Sequence, residues 1–275
     1  MQEIKVILTC HNRCGMTVSA VRSIHDTNPE NRYSFIIVDD NSNDDTVEKI
    51  NGLIAEGFDI TLIKGPGTLY YSGGMREGMD HALNHADSDY YLIINDDVSF
   101  YDGIIDRMIR YALSENGKQE DVLVGCTVDD GGMITYGGIK YIKGIKYRLV
   151  GPGEDTLCDT FNANCVLIGS RVFRTVPCLD DVYLHSLGDF DYGFSISKRD
   201  YKIRTFSEPV GICTGNPGEG SWLDPSLGRL ERLKLKESPK GAPFKQWFYY
   251  LYKNFGLLSA LLHGFTPFLR ILAGK

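Results

Sequence analysis

Three polar clusters in this chain of 275 residues carry side chains suited to holding a charged small molecule: Thr9-Cys10-His11-Asn12, Asp39-Asp40-Asn41-Ser42 and Asn95-Asp96-Asp97. Adjacent carboxylates repel, so Asp96-Asp97 is costly unless a cation or hydrogen-bond donors offset it. Hard oxygen ligands suit Mg²⁺ or Mn²⁺, which bind through one or two carboxylates plus substrate phosphates. The alternative, equally weighted for the dipeptide alone, is that Asp96 or Asp97 caps the next helix. Asp39 to Thr46 has the same alternative as a turn and N-cap cluster, a role that suits Asp44 or Asp45. Asp40 lies ahead of that loop, where a carboxylate could accept the imide N–H of a pyrimidine base.

These clusters need elements that bring them together. Apolar runs at Ile4–Thr9, Phe35–Val38, Ile60–Ile63 and Tyr90–Ile94 read as strands. Helical stretches lie between and after them: one to about His25, one from Asp44 or Asp45, Met75–His85 and Ile104–Leu113. The alternation predicts an α/β fold, a Rossmann-like and mostly parallel sheet with helices on both faces. Ligands of such sheets sit outside the carboxyl ends of the strands, and all three clusters fall there. Beyond about Asp121 the pattern changes. Val122–Cys126 is a strand, Gly131-Gly132 and Gly137-Gly138 punctuate hairpins, Phe161–Ile168 is extended, and Phe190–Lys198 is a helix before Tyr201–Thr205. Leu227–Lys236 is basic and amphipathic, and Phe244–Leu272 is aromatic and aliphatic, with Pro267 expected to break its helix. The division is a main domain over 1–215, split at 120/121 where the pattern changes, and a helical extension over 216–275.

Composition is that of an ordinary globular chain, and a net charge of −7 argues against a general nucleic-acid binder. Seven cysteines without a paired spacing suggest free thiols in a reducing compartment, and Cys10-His11-x-x-Cys14 reads as strand and loop rather than as a zinc site. Met1 to Lys5 runs directly into a strand, and no run approaches the ~20 apolar residues of a membrane span, so the expected location is the cytoplasm.

Taken in order, Val6 to Arg13, Ile37 to Thr46, Gly73-Gly74-Met75-Arg76-x-Gly78, Asn95-Asp96-Asp97, Gly188-Asp189-Phe190-Asp191 and Lys198 to Ile203 resemble family 2 glycosyltransferases. The resemblance spans roughly the first 215 residues and rests on the ordered set. It implies a GT-A fold, a nucleotide-diphosphate sugar donor, a divalent cation (Mn²⁺ or Mg²⁺), and inverting transfer to a glycan or glycolipid in bacterial surface-polysaccharide assembly. It further implies that Thr9 and Asp40, with Asn12 and Asp39 beside them, contact the nucleoside. Gly73, Gly74 and Arg76 fall in the segment closing over the donor, Asp97 with Asp96 meets metal and sugar, and Asp189 is the catalytic base. Asp191 is the second option for the base. Residues two apart on a helix do not share a face, so the other carboxylate would cap or pair with Lys198 or Arg199. Two positions depart from the family pattern: Cys213 stands where a metal-shell histidine is common, and Arg76 where asparagine is common.

Other residues carry less. His81 and His85 read as exposed helix residues, and Tyr70 spoils a dinucleotide fingerprint begun at Gly65-Pro66-Gly67. Asn162, Asn164 and Trp222 suit sugar contacts or plain packing equally. Residues 244–275 read first as a packed helix pair, with peripheral contact to an anionic membrane as the second reading. The rival functions are a nucleotidyltransferase, which would carry a glycine-rich basic loop where Thr9 to Arg13 stand, and a non-catalytic carbohydrate-binding scaffold.

Overall fold

A computed structural model of the chain describes residues 1–114, 122–215 and 218–275. The first half alternates β1 (Glu3–Cys10), α1 (Cys14–Thr27), β2 (Arg32–Asp39), α2 (Thr46–Ala55), β3 (Ile60–Lys64), α3 (Tyr70–Leu83) and β4 (Tyr90–Ile94), followed by β5 (Ser99–Phe100) and α4 (Ile104–Leu113). The second half holds β6 (Val122–Val128), β7 (Ile134–Tyr136), β8 (Gly138–Lys143), β9 (Lys146–Val150), β10 (Thr160–Phe161), β11 (Cys165–Gly169), α5 (Ser170–Thr175), α6 (Gly188–Ser197) and β12 (Ile203–Ile212). Helices α7 (Arg229–Lys236), α8 (Phe244–Phe255), α9 (Leu257–His263) and α10 (Thr266–Leu272) complete it. The expected boundary at 120/121 lies outside the described residues, and that at 215/216 falls at their edge.

Among the described residues the main sheet runs β3-β2-β1-β4-β11-β6-β12-β5, with β7 beside β6, and β10-β8-β9 form a second, small sheet. β1 pairs in parallel with β2 and β4, as do β2 with β3 and β6 with β12. The mostly parallel sheet expected is therefore found across β3-β2-β1-β4. Antiparallel β11 then enters between β4 and β6. Val6 and Leu8 pack on one face with α1 and α4, while Ile7 packs on the other with Met75 and Met79 of α3. A strand buried on both faces reads as the unbroken apolar run seen in β1.

Three expectations need adjusting. α3 begins at Tyr70 rather than Met75, because a distant carboxylate caps its first turn (below). The extended run over Phe161–Ile168 is broken at 162–164, a turn that faces the site. Phe244–Leu272 forms three helices rather than a pair. Gly256 supplies a left-handed break (φ +85°), and Pro267 sits in the first turn of α10, where a missing N–H costs nothing, so it opens a helix rather than breaking one. α8 packs on α6 through Tyr250, Leu251 and Phe194. Among the described residues no helix is long and apolar enough to cross a membrane.

Candidate active site

Parallel pairing sets Cys10 opposite Asp39 and runs β4 beside β1, so the three polar clusters do meet at one sheet edge. Strand order reverses direction at β1, with β2 on one side and β4 on the other. The crevice at such a switch point is the usual ligand site of an open α/β sheet.

Within the crevice Asp96 is buried and Asp97 is 32% exposed. The Arg13 guanidinium donates to both, at 3.0 Å to Asp96 Oδ1 and 2.9 Å to Asp97 Oδ2. Thr17 also donates to Asp96, at 3.1 Å. Burial pushes the Asp96 carboxyl upward, and Arg13 opposes that shift. The sequence reading gave Arg13 no role. Its signal was a lone cation three residues past a strand end, facing two acidic clusters. Cys213, just past the end of β12, lies with Sγ 3.8 Å from Asp97 Oδ1, so the residue that departs from the family pattern does reach this site. Burial, then Asp97, pushes its thiol up to about 12.

Asp189 opens α6 across a narrow apolar pocket that it lines with Tyr71, Met75, Phe161, Ala163 and Tyr192. Its carboxylate accepts the N–H of Phe190 at 2.9 Å and of Ala163 at 3.3 Å. Burial nonetheless pushes its pKa up to about 6, the backbone bonds opposing. Tyr71, another residue the sequence reading missed, joins the two sides. Its hydroxyl points at the Ala163 carbonyl, 3.5 Å away. Burial first, then Asp189, Asp97 and Asp96, raise the pKa of that phenol, so all three carboxylates act on one group. Asp191 faces elsewhere. It is buried and accepts from Lys253 at 2.6 Å and Asn254 at 2.8 Å, both on α8, rather than from Lys198 or Arg199.

The remaining candidates line the edge with local work of their own. Asp40 is buried and its two oxygens accept the N–H groups of Gly67, Leu69 and Tyr70 at 2.7–2.9 Å, which caps α3 from outside and uses three of a carboxylate's roughly four acceptor sites. Asp39 accepts from Ser42 N–H at 3.2 Å. Asn12 holds a left-handed backbone (φ +53°), accepts from Asn43 N–H at 2.7 Å and donates its own N–H to Ser42 Oγ at 2.8 Å. Thr9 donates its hydroxyl to Val38 O at 3.1 Å. Gly74 lies against Thr9, where a Cβ would stand 2.2 Å from Oγ1, so α3 needs glycine to approach β1. Gly73 packs beside Leu69 and Arg76, and the half-buried Arg76 donates to Asp180 O at 3.4 Å. Asn164, in the turn between β10 and β11, donates to Cys213 Sγ at 3.7 Å and accepts Asn95 N–H at 3.2 Å.

Asp97 and Asp96 suit a hard cation whose shell is completed by phosphate oxygens, and among the described residues they are not part of any larger cluster of metal-binding side chains. The positive charge already between them, on Arg13, shows that the pair demands a counter-charge.

Residues 5–150, more than half of the chain, match the family described as Glycosyl transferase family 2, and the chain belongs to that family. Its fold is GT-A. Similar solved structures include the mannosyltransferase PcManGT from Pyrobaculum calidifontis in complex with GDP-Man and Mn²⁺, at 14% identity and TM-score 0.56, covering 99% of this chain and 74% of that one. GalNAc-T7 with UDP, GalNAc and Mn²⁺ is similar at 12% identity and TM-score 0.63, covering 92% and 48%. TarS 1-349 from S. aureus in complex with UDP-GlcNAc is similar at 10% identity and TM-score 0.59, covering 99% and 92%. Likeness at this identity concerns the fold. No curated protein is significantly similar in sequence.

Proposed function

We propose that this protein transfers a sugar, a hexose in the first instance, from a nucleotide-diphosphate donor to a hydroxyl of a glycan or glycolipid, with inversion. The observation that carries the reading is the opposition of two acidic sides across Tyr71: the Asp96–Asp97 pair with its counter-charge, and Asp189 with a pKa raised to about 6. A diphosphate beside Asp97 would be held by a divalent cation, which neutralises charge building on the leaving group. The strand ends at Thr9–Asn12 and Asp39–Asp40 border the nucleoside, and Gly73, Gly74 and Arg76 of α3 border the sugar. Asp189 takes the proton of the attacking hydroxyl on the opposite face, a task suited to a carboxyl poised near neutrality and worth roughly 10²–10⁴-fold in rate. The Asp191–Lys253 ion pair favours Asp189 over Asp191 as the base. Bacterial surface-polysaccharide assembly from the cytoplasmic side belongs to the same proposal.

Calorimetry with UDP, dTDP, GDP and CDP, with and without Mn²⁺, tests the donor side on wild type and Asp97→Ala. One nucleotide should bind in a metal-dependent way and be lost in the variant. Failure of every nucleotide to bind the folded protein would leave a carbohydrate-binding scaffold as the better reading.

A further inference from the structure

The C-terminal helices leave apolar surface without cover. On α9 Leu257, Leu258, Leu261 and Leu262, then Phe265 and Leu269, are each 54–72% exposed, while the small Ala260 is the α9 residue turned fully inward. Scattered exposed leucines are ordinary, but six within thirteen residues form a patch of the kind that marks an interaction surface. α8 is not part of it, because Tyr250 and Leu251 are buried against Phe194 of α6.

Charge identifies the occupant. Residues 238–275 contain five Lys or Arg and no Asp or Glu, so the first 237 residues carry −12 of a chain whose net charge is −7. Lys240, Lys245, Arg270 and Lys275 are exposed, and Arg229 and Lys234 of the neighbouring α7 add to them. A strongly acidic body with a basic, leucine-studded end is polarised towards an anionic apolar–polar boundary. A second copy would have to pair two like-charged surfaces.

We propose that the exposed face of α9 and α10 docks this protein on an anionic phospholipid surface. The face is fixed relative to the catalytic side. Lys253 and Asn254 of α8 hold Asp191 of α6, the helix that Asp189 opens, and Lys253 also reaches Asp180 at 3.1 Å. A bilayer under α9 and α10 therefore sets the orientation of the acceptor pocket as well as its address. The biological sense of this docking rests on the glycolipid reading above; the docking itself does not.

Flotation with phosphatidylcholine vesicles, with and without phosphatidylglycerol, tests it. Wild type should float with the anionic vesicles and stay behind with the neutral ones, and added salt should weaken the binding. Leu258→Gln/Leu262→Gln/Leu269→Gln should cut binding at least tenfold, and Lys245→Gln/Arg270→Gln should cut it by more than tenfold at low salt, at about fivefold per charge. The replaced side chains are exposed, so both variants should keep the wild-type melting transition and nucleotide binding. No flotation, or flotation indifferent to lipid charge and to the triple variant, overturns the proposal. So does a wild-type dimer that the triple variant splits without any vesicle binding, which would assign the face to a second copy. Loss of nucleotide binding in wild type would instead defeat the functional reading and leave the docking result standing.

Discussion

Replacing Asp189 by Asn separates the chemistry of this carboxyl from its cost to the fold. Its folded pKa of about 6 stands above the 3.8 of an ordinary aspartate, and burial is the largest cause. Because the folded carboxyl keeps its proton to higher pH than the unfolded one, the group's stabilising contribution is complete below about pH 4 and lost as pH rises through 6. The gap corresponds to about 3 kcal/mol between those limits. Asn has no such titration. It keeps one acceptor oxygen for the N–H groups of Phe190 and Ala163, so one bond is lost, at about 1 kcal/mol independent of pH. Urea unfolding at pH 4 to 7.5 should therefore show Asp189→Asn gaining about 3 kcal/mol on wild type across the range, ending more stable near neutrality while turnover falls about 10²–10⁴-fold. Nucleotide binding should be untouched, and the acid limb of wild-type kcat/KM should fall near pH 6. Parallel unfolding curves for the two proteins would refute the burial argument, and unchanged turnover would refute the base assignment.

Lys253→Met strands the buried Asp191, and thermal or urea unfolding should register a loss of about 3 kcal/mol, largely restored by adding Asp191→Asn; no restoration would mean the pair is not the link. Gly74→Ala pushes a methyl into Thr9 Oγ1 and should cost about 1–3 kcal/mol, with a shifted β1–α3 contact; wild-type stability would mean that α3 sits further from β1. Arg13→Gln removes the cation that both Asp96 and Asp97 accept from. Charge-assisted bonds of this kind are worth about 1.5–3 kcal/mol, so calorimetry should find Mn²⁺ binding to the nucleotide-free variant roughly tenfold tighter or more. Equal or weaker affinity would show that Arg13 does not compete for the pair.

Where the sequence was informative, geometry was the reason. Parallel strands have their carboxyl ends at one edge, so Thr9, Asp39 and Asn95 could be placed together from the periodicity of β1, β2 and β4 alone. What escaped depended on partners far apart in the chain. The start of α3 is set by Asp40, about 30 residues upstream, so local propensity put the helix five residues late. The partners of Asp191 lie 62 and 63 residues away on α8, while the nearby Lys198 and Arg199 were the only cations a local reading could offer. Tyr71 gave no polar signal at all, since a tyrosine in a helix reads as packing until carboxylates are seen around it.

The same contacts decide how rigid the site is. α3 is pressed on β1 at Gly74 and on α6 at Gly188, where a Cβ would stand 2.5 Å from Ser72 Oγ. α3 therefore touches both the Asp97 side, through β1, and the Asp189 side, through α6, while the turn at 162–164 joins the two directly through Ala163 N–H to Asp189 and Asn95 N–H to Asn164 O. Tyr71 sits in the first turn of α3. By fixing where that turn begins, Asp40 also fixes where Tyr71 stands between the two acidic sides.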